Sequence, residues 1–105
     1  MVEYHLNLDS VFSSLADPTR RDILHRVSAG ELSVGDIAKA YNLTLAAVSK
    51  HLKVLEKAQL VTKKRQGKAQ MVQMAPQTLR AVDDYLAMYR GQWERRLDSL
   101  ETFLK

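Results

Sequence analysis

Apolar residues along this chain recur first at helical spacing, then in alternation, then at helical spacing again. Leu8, Val11, Phe12 and Leu15 sit three or four apart and predict a short first helix. Asp17-Pro18 offers a capping side chain followed by proline at the first helical position. A second helix is therefore expected over about 18–29, burying Ile23, Leu24 and Val27 and stopping at Gly30. Ser33 with Asp36 three residues on resembles a capping box and opens a third helix carrying Ile37, Ala38 and Tyr41. Asn42 suits the left-handed conformation that ends such a helix, and Leu43 plugs the turn. Thr44 caps a fourth helix, roughly 45–58, whose apolar side is Val48, Leu52 and Leu55.

After Leu60 the period drops to two. Val61–Arg65 and Ala69–Met74 flank Gln66-Gly67-Lys68, and a glycine between two alternating runs signals a hairpin. Pro76 then opens a last helix with a stripe of Leu79, Val82, Leu86, Tyr89, Trp93, Leu97, Leu100 and Leu104. The order predicts a mainly α fold with a small β-hairpin: a winged helix-turn-helix with a long C-terminal dimerisation helix. One domain over 1–105 is expected. Its helix-turn-helix falls at about 33–58, its wing at about 61–74, and its dimerisation elements at about 6–15 and 77–104.

Charge sharpens this picture. Residues 44–70 hold Lys50, Lys53, Lys57, Lys63, Lys64, Arg65 and Lys68 against the single acid Glu56, a net +6. The whole chain carries +4, so everything outside the window sums to −2. Segregated charge of this size, on the motif that places a helix in a groove, points to double-stranded DNA. The fourth helix is narrow enough for a major groove about 12 Å wide. Thr44, Leu45, Ala46, Ala47 and Ser49 at its start would face base edges, while Lys50 and Lys53 reach phosphates. Thr44 serves as a helix cap, a base contact, or both. His51, at the edge of the buried face, reads as a structural or phosphate-binding residue rather than a base reader. His5 and His25 are isolated. In the wing, Lys63, Lys64, Arg65 and Lys68 exceed what protecting an edge strand requires, and Arg65 or Lys68 at the tip fits an adjacent minor groove.

The remaining bulk properties mostly exclude. The chain is 46% hydrophobic and 27% charged, as ordinary globular proteins are, and its pI is about 9.5. No apolar run approaches the roughly 20 residues a bilayer demands, and Met1–Asp9 lacks the pattern of a secretory signal. A cytoplasmic protein without membrane contact is expected. With no cysteine, thiolate metal sites and cysteine nucleophiles are excluded. There is no glycine-rich phosphate loop and no histidine–carboxylate pair at metal spacing, so no enzyme and no cofactor are expected.

Three segments carry a family resemblance: Leu15-Ala16-Asp17-Pro18-Thr19-Arg20-Arg21-Asp22-Ile23-Leu24, Val48-Ser49-Lys50-His51-Leu52-Lys53-Val54-Leu55, and Arg65-Gln66-Gly67-Lys68. In order and spacing they resemble the arsenic-repressor (ArsR-type) winged-helix regulators over about residues 8–75. The tail, with Tyr89-Arg90 and Trp93-Glu94-Arg95-Arg96-Leu97, is similar to a subgroup without metal sites. The resemblance implies a dimeric transcriptional repressor on a two-fold operator. Leu45 stands where such relatives often carry glutamine. It offers only apolar contact, for instance with a thymine methyl, so base reading is altered or weakened. Metal-sensing relatives carry two cysteines at the start of the third helix, where this chain has Ser33 and Gly35. The last helix offers Asp83, Asp84, Glu94, Asp98 and Glu101 but no histidine, so no zinc site is expected there either.

One helix over 77–104 would be about 42 Å long, more than one protomer can cover. Leu8, Phe12, Leu86, Tyr89, Trp93, Leu97, Leu100, Phe103 and Leu104 are therefore the expected dimer contacts. The competing arrangement is a helix broken at Gly91 and folded back. The expected function is a homodimeric, sequence-specific DNA-binding regulator, most simply a repressor on an inverted repeat. The alternatives are a winged-helix protein-interaction module and a small-molecule-responsive regulator. Met71, Met74, Tyr85, Met88 and Tyr89 are candidate lining for an effector that nothing else makes evident.

Overall fold

A computed structural model describes residues 7–104. The N-terminal positions considered above, His5 and the start of the first dimerisation element near residue 6, lie outside the described residues. The elements run α1 (Leu8–Leu15), α2 (Pro18–Ala29), β1 (Leu32–Ser33), α3 (Val34–Tyr41), α4 (Leu45–Lys57), β2 (Val61–Gln66), β3 (Ala69–Met74) and α5 (Pro76–Leu104).

Local chemistry explains most of these boundaries. Asn7, Asp17, Ser33 and Thr44 each accept a backbone N–H three residues ahead and so cap α1, α2, α3 and α4. Asn42, at φ 53°, ends α3 in the left-handed conformation, and Leu43 N donates to the Ala38 carbonyl at 3.0 Å. This six-to-one bond is a Schellman closure. A second one ends α4, with Leu60 N donating to the Leu55 carbonyl at 2.9 Å. Its left-handed residue is Gln59, at φ 62°, which no glycine or asparagine announces. Gly67, at φ 63°, is the first central residue of the two-residue hairpin turn, as a type II′ turn requires.

α2 stops at Gly30 as expected, with Gly30 in ordinary extended backbone at φ 164°, from which the chain enters β1. One sequence expectation needs correcting: β1 makes the expected hairpin a three-stranded antiparallel sheet of order β1-β3-β2. Leu32 pairs with Val72 and Ser33 with Met71, while Val61 to Gln66 pair with Met74 to Ala69.

The core lies between this sheet and the first four helices. Val11, Ile23, Ile37, Val48, Leu52, Leu55, Leu60 and Val72 are wholly buried in it. The start of α5 is docked by Thr78, whose hydroxyl donates to the Gln59 carbonyl, and Val82 is the last buried residue of the helix. Beyond that point α5 continues unbroken through Gly91, which removes the folded-back alternative. Its 29 residues span about 43 Å. The radius of gyration is 17.8 Å, against about 13 Å for a compact chain of this size, because half of α5 projects from the body.

Candidate nucleic-acid interface

The turn between α3 and α4 is built so that α4 shows one face to the core and the other to solvent. Val48, Leu52 and Leu55 are fully buried, and Lys50, Lys53 and Lys57 are exposed. At the start of α4 the Thr44 hydroxyl accepts from Ala47 N at 3.1 Å, so its oxygen is engaged as a cap. Leu45 follows at 60% exposure, the largest side chain of the first turn. Ala46 is exposed, and Ala47 and Ser49 are half-buried.

His51 faces the neighbouring helix rather than solvent. Its Nδ1 lies 3.9 Å from the Asp17 carboxylate at the start of α2. Asp17 is held below the ordinary carboxylate range by the Arg20 backbone N–H it accepts, with Arg20 and His51 adding favourable charge. The histidine thus joins α4 to the N-terminus of α2, in keeping with a structural role. A second junction was not legible beforehand. The Tyr41 hydroxyl donates to Asp22 and accepts from Arg26 Nε at 3.0 Å, and the Arg26 guanidinium lies 5.1 Å from the Tyr41 ring centre. The hydrogen bond from Tyr41, aided by Arg26, holds the Asp22 carboxyl low, while burial raises the Tyr41 phenol. The Asp22–Arg26 spacing of four was the only hint in the sequence.

The wing divides its cations. Lys63 stands opposite Val72 on the inner face of the sheet and pairs with Glu56 of α4 at 3.1 Å. Lys64, Arg65 and Lys68 are exposed. The only acid of the basic window is therefore neutralised from within the window. Lys50, Lys53 and Lys57 of α4 and Lys64, Arg65 and Lys68 of the hairpin remain presented to solvent.

Elsewhere the expected groupings fare differently. The stripe of α5 is exposed beyond Val82: Leu86, Tyr89, Trp93, Leu97, Leu100, Phe103 and Leu104, with Trp93 at 62%. Phe12 is exposed and Leu8 half-buried on α1. The five residues named as effector lining do not converge. Met74 packs on the core, Met71 faces the opposite side of the same strand, and Met88 is exposed on α5. Tyr85 and Tyr89 stack edge to face with each other along one helix. Ser33, at one of the two cysteine positions of metal-sensing relatives, uses its hydroxyl to cap Asp36 N at 3.0 Å. Among the described residues no three histidine or acidic groups cluster to hold a metal ion.

In this chain α4 is thus held between two Schellman turns and presented beside a basic hairpin. The family described as "Helix-turn-helix domain" matches residues 15–64, from the end of α1 to the middle of β2. The transcriptional repressor SdpR of Bacillus subtilis is 37% identical over 60 residues, covering 57% of this chain and 67% of that protein. A crystal structure of the ArsR family transcriptional regulator RHA00566 superposes with a TM-score of 0.76 at 33% identity, covering 90% of this chain and 97% of the other. The chain belongs to the ArsR-type winged helix-turn-helix family. It is a DNA-binding transcriptional regulator, not an enzyme. A further neighbour is the homodimeric winged helix-turn-helix DNA-binding domain Mb0332 from Mycobacterium bovis, with a TM-score of 0.65 at 27% identity over 84% of this chain and 82% of that one. Among the described residues no helix is long and apolar enough to cross a membrane.

Proposed function

We propose that this ArsR-type regulator acts as a homodimeric repressor that binds an inverted-repeat operator. The observation that carries the reading is the part of α5 beyond Val82, where Leu86, Tyr89, Trp93, Leu97, Leu100, Phe103 and Leu104 stand exposed along one projecting helix. A contiguous apolar surface of that kind marks an interface, and a second copy of the same helix is the simplest cover. The homodimeric description of the Mb0332 domain and the repressor name of SdpR support it.

Two-fold pairing through α1 and α5 sets two copies of α4 on one face, about 34–36 Å apart, one turn of duplex. Thr44, Leu45, Ala46, Ala47 and Ser49 then face base edges. Lys50, Lys53, Lys64, Arg65 and Lys68 neutralise phosphates or enter the minor groove. Lys63 acts indirectly, by fixing the wing to α4 through Glu56. His51 positions α4 against α2.

Selection of bound fragments from random duplexes tests this reading, since the consensus reports both specificity and symmetry. Two half-sites in inverted order, one turn apart, are expected. Sedimentation at micromolar concentration should show a particle of about 24 kDa, twice the 11.9 kDa chain. A monomer that binds a single asymmetric site tightly would overturn it.

A further inference from the structure

We infer that the recognition helix selects thymine in each half-site through the C5-methyl group, with Leu45 as the contacting residue. The inference rests on the operator-binding reading above and names how that surface discriminates bases.

Strong hydrogen-bond readout of a base edge comes from paired donors and acceptors, as in arginine on guanine or asparagine and glutamine on adenine. From Thr44 to Ser49 there is no such side chain. The Thr44 oxygen accepts from Ala47 N, so its acceptor function serves the helix. Ser49 is half-buried and carries one hydroxyl, which serves any base about equally. Lys50 and Lys53 are single point charges on flexible stems, suited to phosphate.

What does project is apolar. Leu45 is 60% exposed at the first helical position, next to the exposed methyl of Ala46. Leu45 opens the same helix that presents Lys50 and Lys53 to solvent, so it stands at the start of a cationic face rather than within an apolar one. In the major groove the apolar feature of a base edge is the thymine C5-methyl. Packing Leu45 on that methyl removes both from water without leaving a polar group unpaired.

Replacing single thymines of the selected operator by deoxyuridine removes the methyl and leaves every hydrogen-bonding group in place. Replacing the contacted thymine in one half-site should weaken wild-type binding by about 4-fold, and in both half-sites by about 15-fold. The Leu45→Ala protein, checked as folded by circular dichroism, should bind the thymine and uracil duplexes within about twofold of each other. Uracil tolerated at every position by a wild type that still selects its operator would overturn this inference alone. An equal uracil penalty in wild type and Leu45→Ala would overturn the assignment to Leu45. If selection yields no preferred duplex at all, the operator-binding reading fails, and this inference with it.

Discussion

Gln59 is the position where a single substitution should make the protein more stable. It ends α4 at φ 62°, a region that costs an L-residue about 1–2 kcal/mol relative to the right-handed one. Its side chain is exposed, so removing it sacrifices no core packing. The bonds that define the turn are backbone bonds: Gln59 N to the Glu56 carbonyl and Leu60 N to the Leu55 carbonyl, both 2.9 Å. The Gln59 carbonyl also keeps its bond from Thr78, which anchors α5. Gln59→Gly relieves the left-handed strain but enlarges the freedom of the unfolded chain, a loss of about 0.4–1 kcal/mol. The net gain should be about 0.5–1 kcal/mol, or roughly 2–8 °C in Tm for a chain this small. Urea and thermal unfolding must be compared at one protomer concentration, since dimer stability depends on it. Operator affinity should not change, because the residue is outside the proposed DNA contacts. Asn42→Gly, at the matching turn after α3, should gain less, since asparagine already tolerates this conformation. A loss of about 1 kcal/mol in Gln59→Gly, the usual effect of glycine inside a helix, would refute the reasoning.

Three further outcomes follow from the geometry. Trp93 is 62% exposed in the single chain, so Trp93→Ala should leave protomer folding nearly intact while weakening association by up to about 3–5 kcal/mol if the site is fully covered in the dimer; sedimentation across concentrations that shows an unchanged dimer would remove Trp93 from the interface. Lys64→Ala and Arg65→Ala should weaken binding to all duplexes and flatten the salt slope by about 1 per lost phosphate contact, whereas Lys63→Ala should act mainly through wing stability, because Lys63 is paired with Glu56; fluorescence anisotropy over a salt series separates the two. Asp22 is held below its ordinary value by Tyr41 and Arg26, so its contribution is full above about pH 4 and is lost as pH falls through the lowered value; Asp22→Asn should therefore flatten the acid side of the urea midpoint against pH, and superimposable curves would show that the junction adds nothing.

Much of this protein was determined within short windows of sequence. A cap needs only a side chain and a backbone N–H three residues on, so Asp17, Ser33 and Thr44 announced their helices. Asn42 and Gly67 announced their turns because few residues tolerate positive φ. The recognition helix, the wing and their cations were legible for the same reason: period and charge are local properties. What lay beyond reach depended on segments far apart in the chain. Strand β1 is two residues long and has no period; it exists because β3 offers it a partner. Gln59 adopts a strained conformation that delivers Leu60 to the core and its own carbonyl to Thr78 of α5. The pairing of Lys63 with Glu56, of His51 with Asp17, and of Tyr41 with Asp22 and Arg26 joins elements that only the fold brings together. Sequence by itself determined which surfaces this protein has. Tertiary structure decided which charged groups on them are engaged within the fold and which face outward, because that depends on distances that no local pattern records.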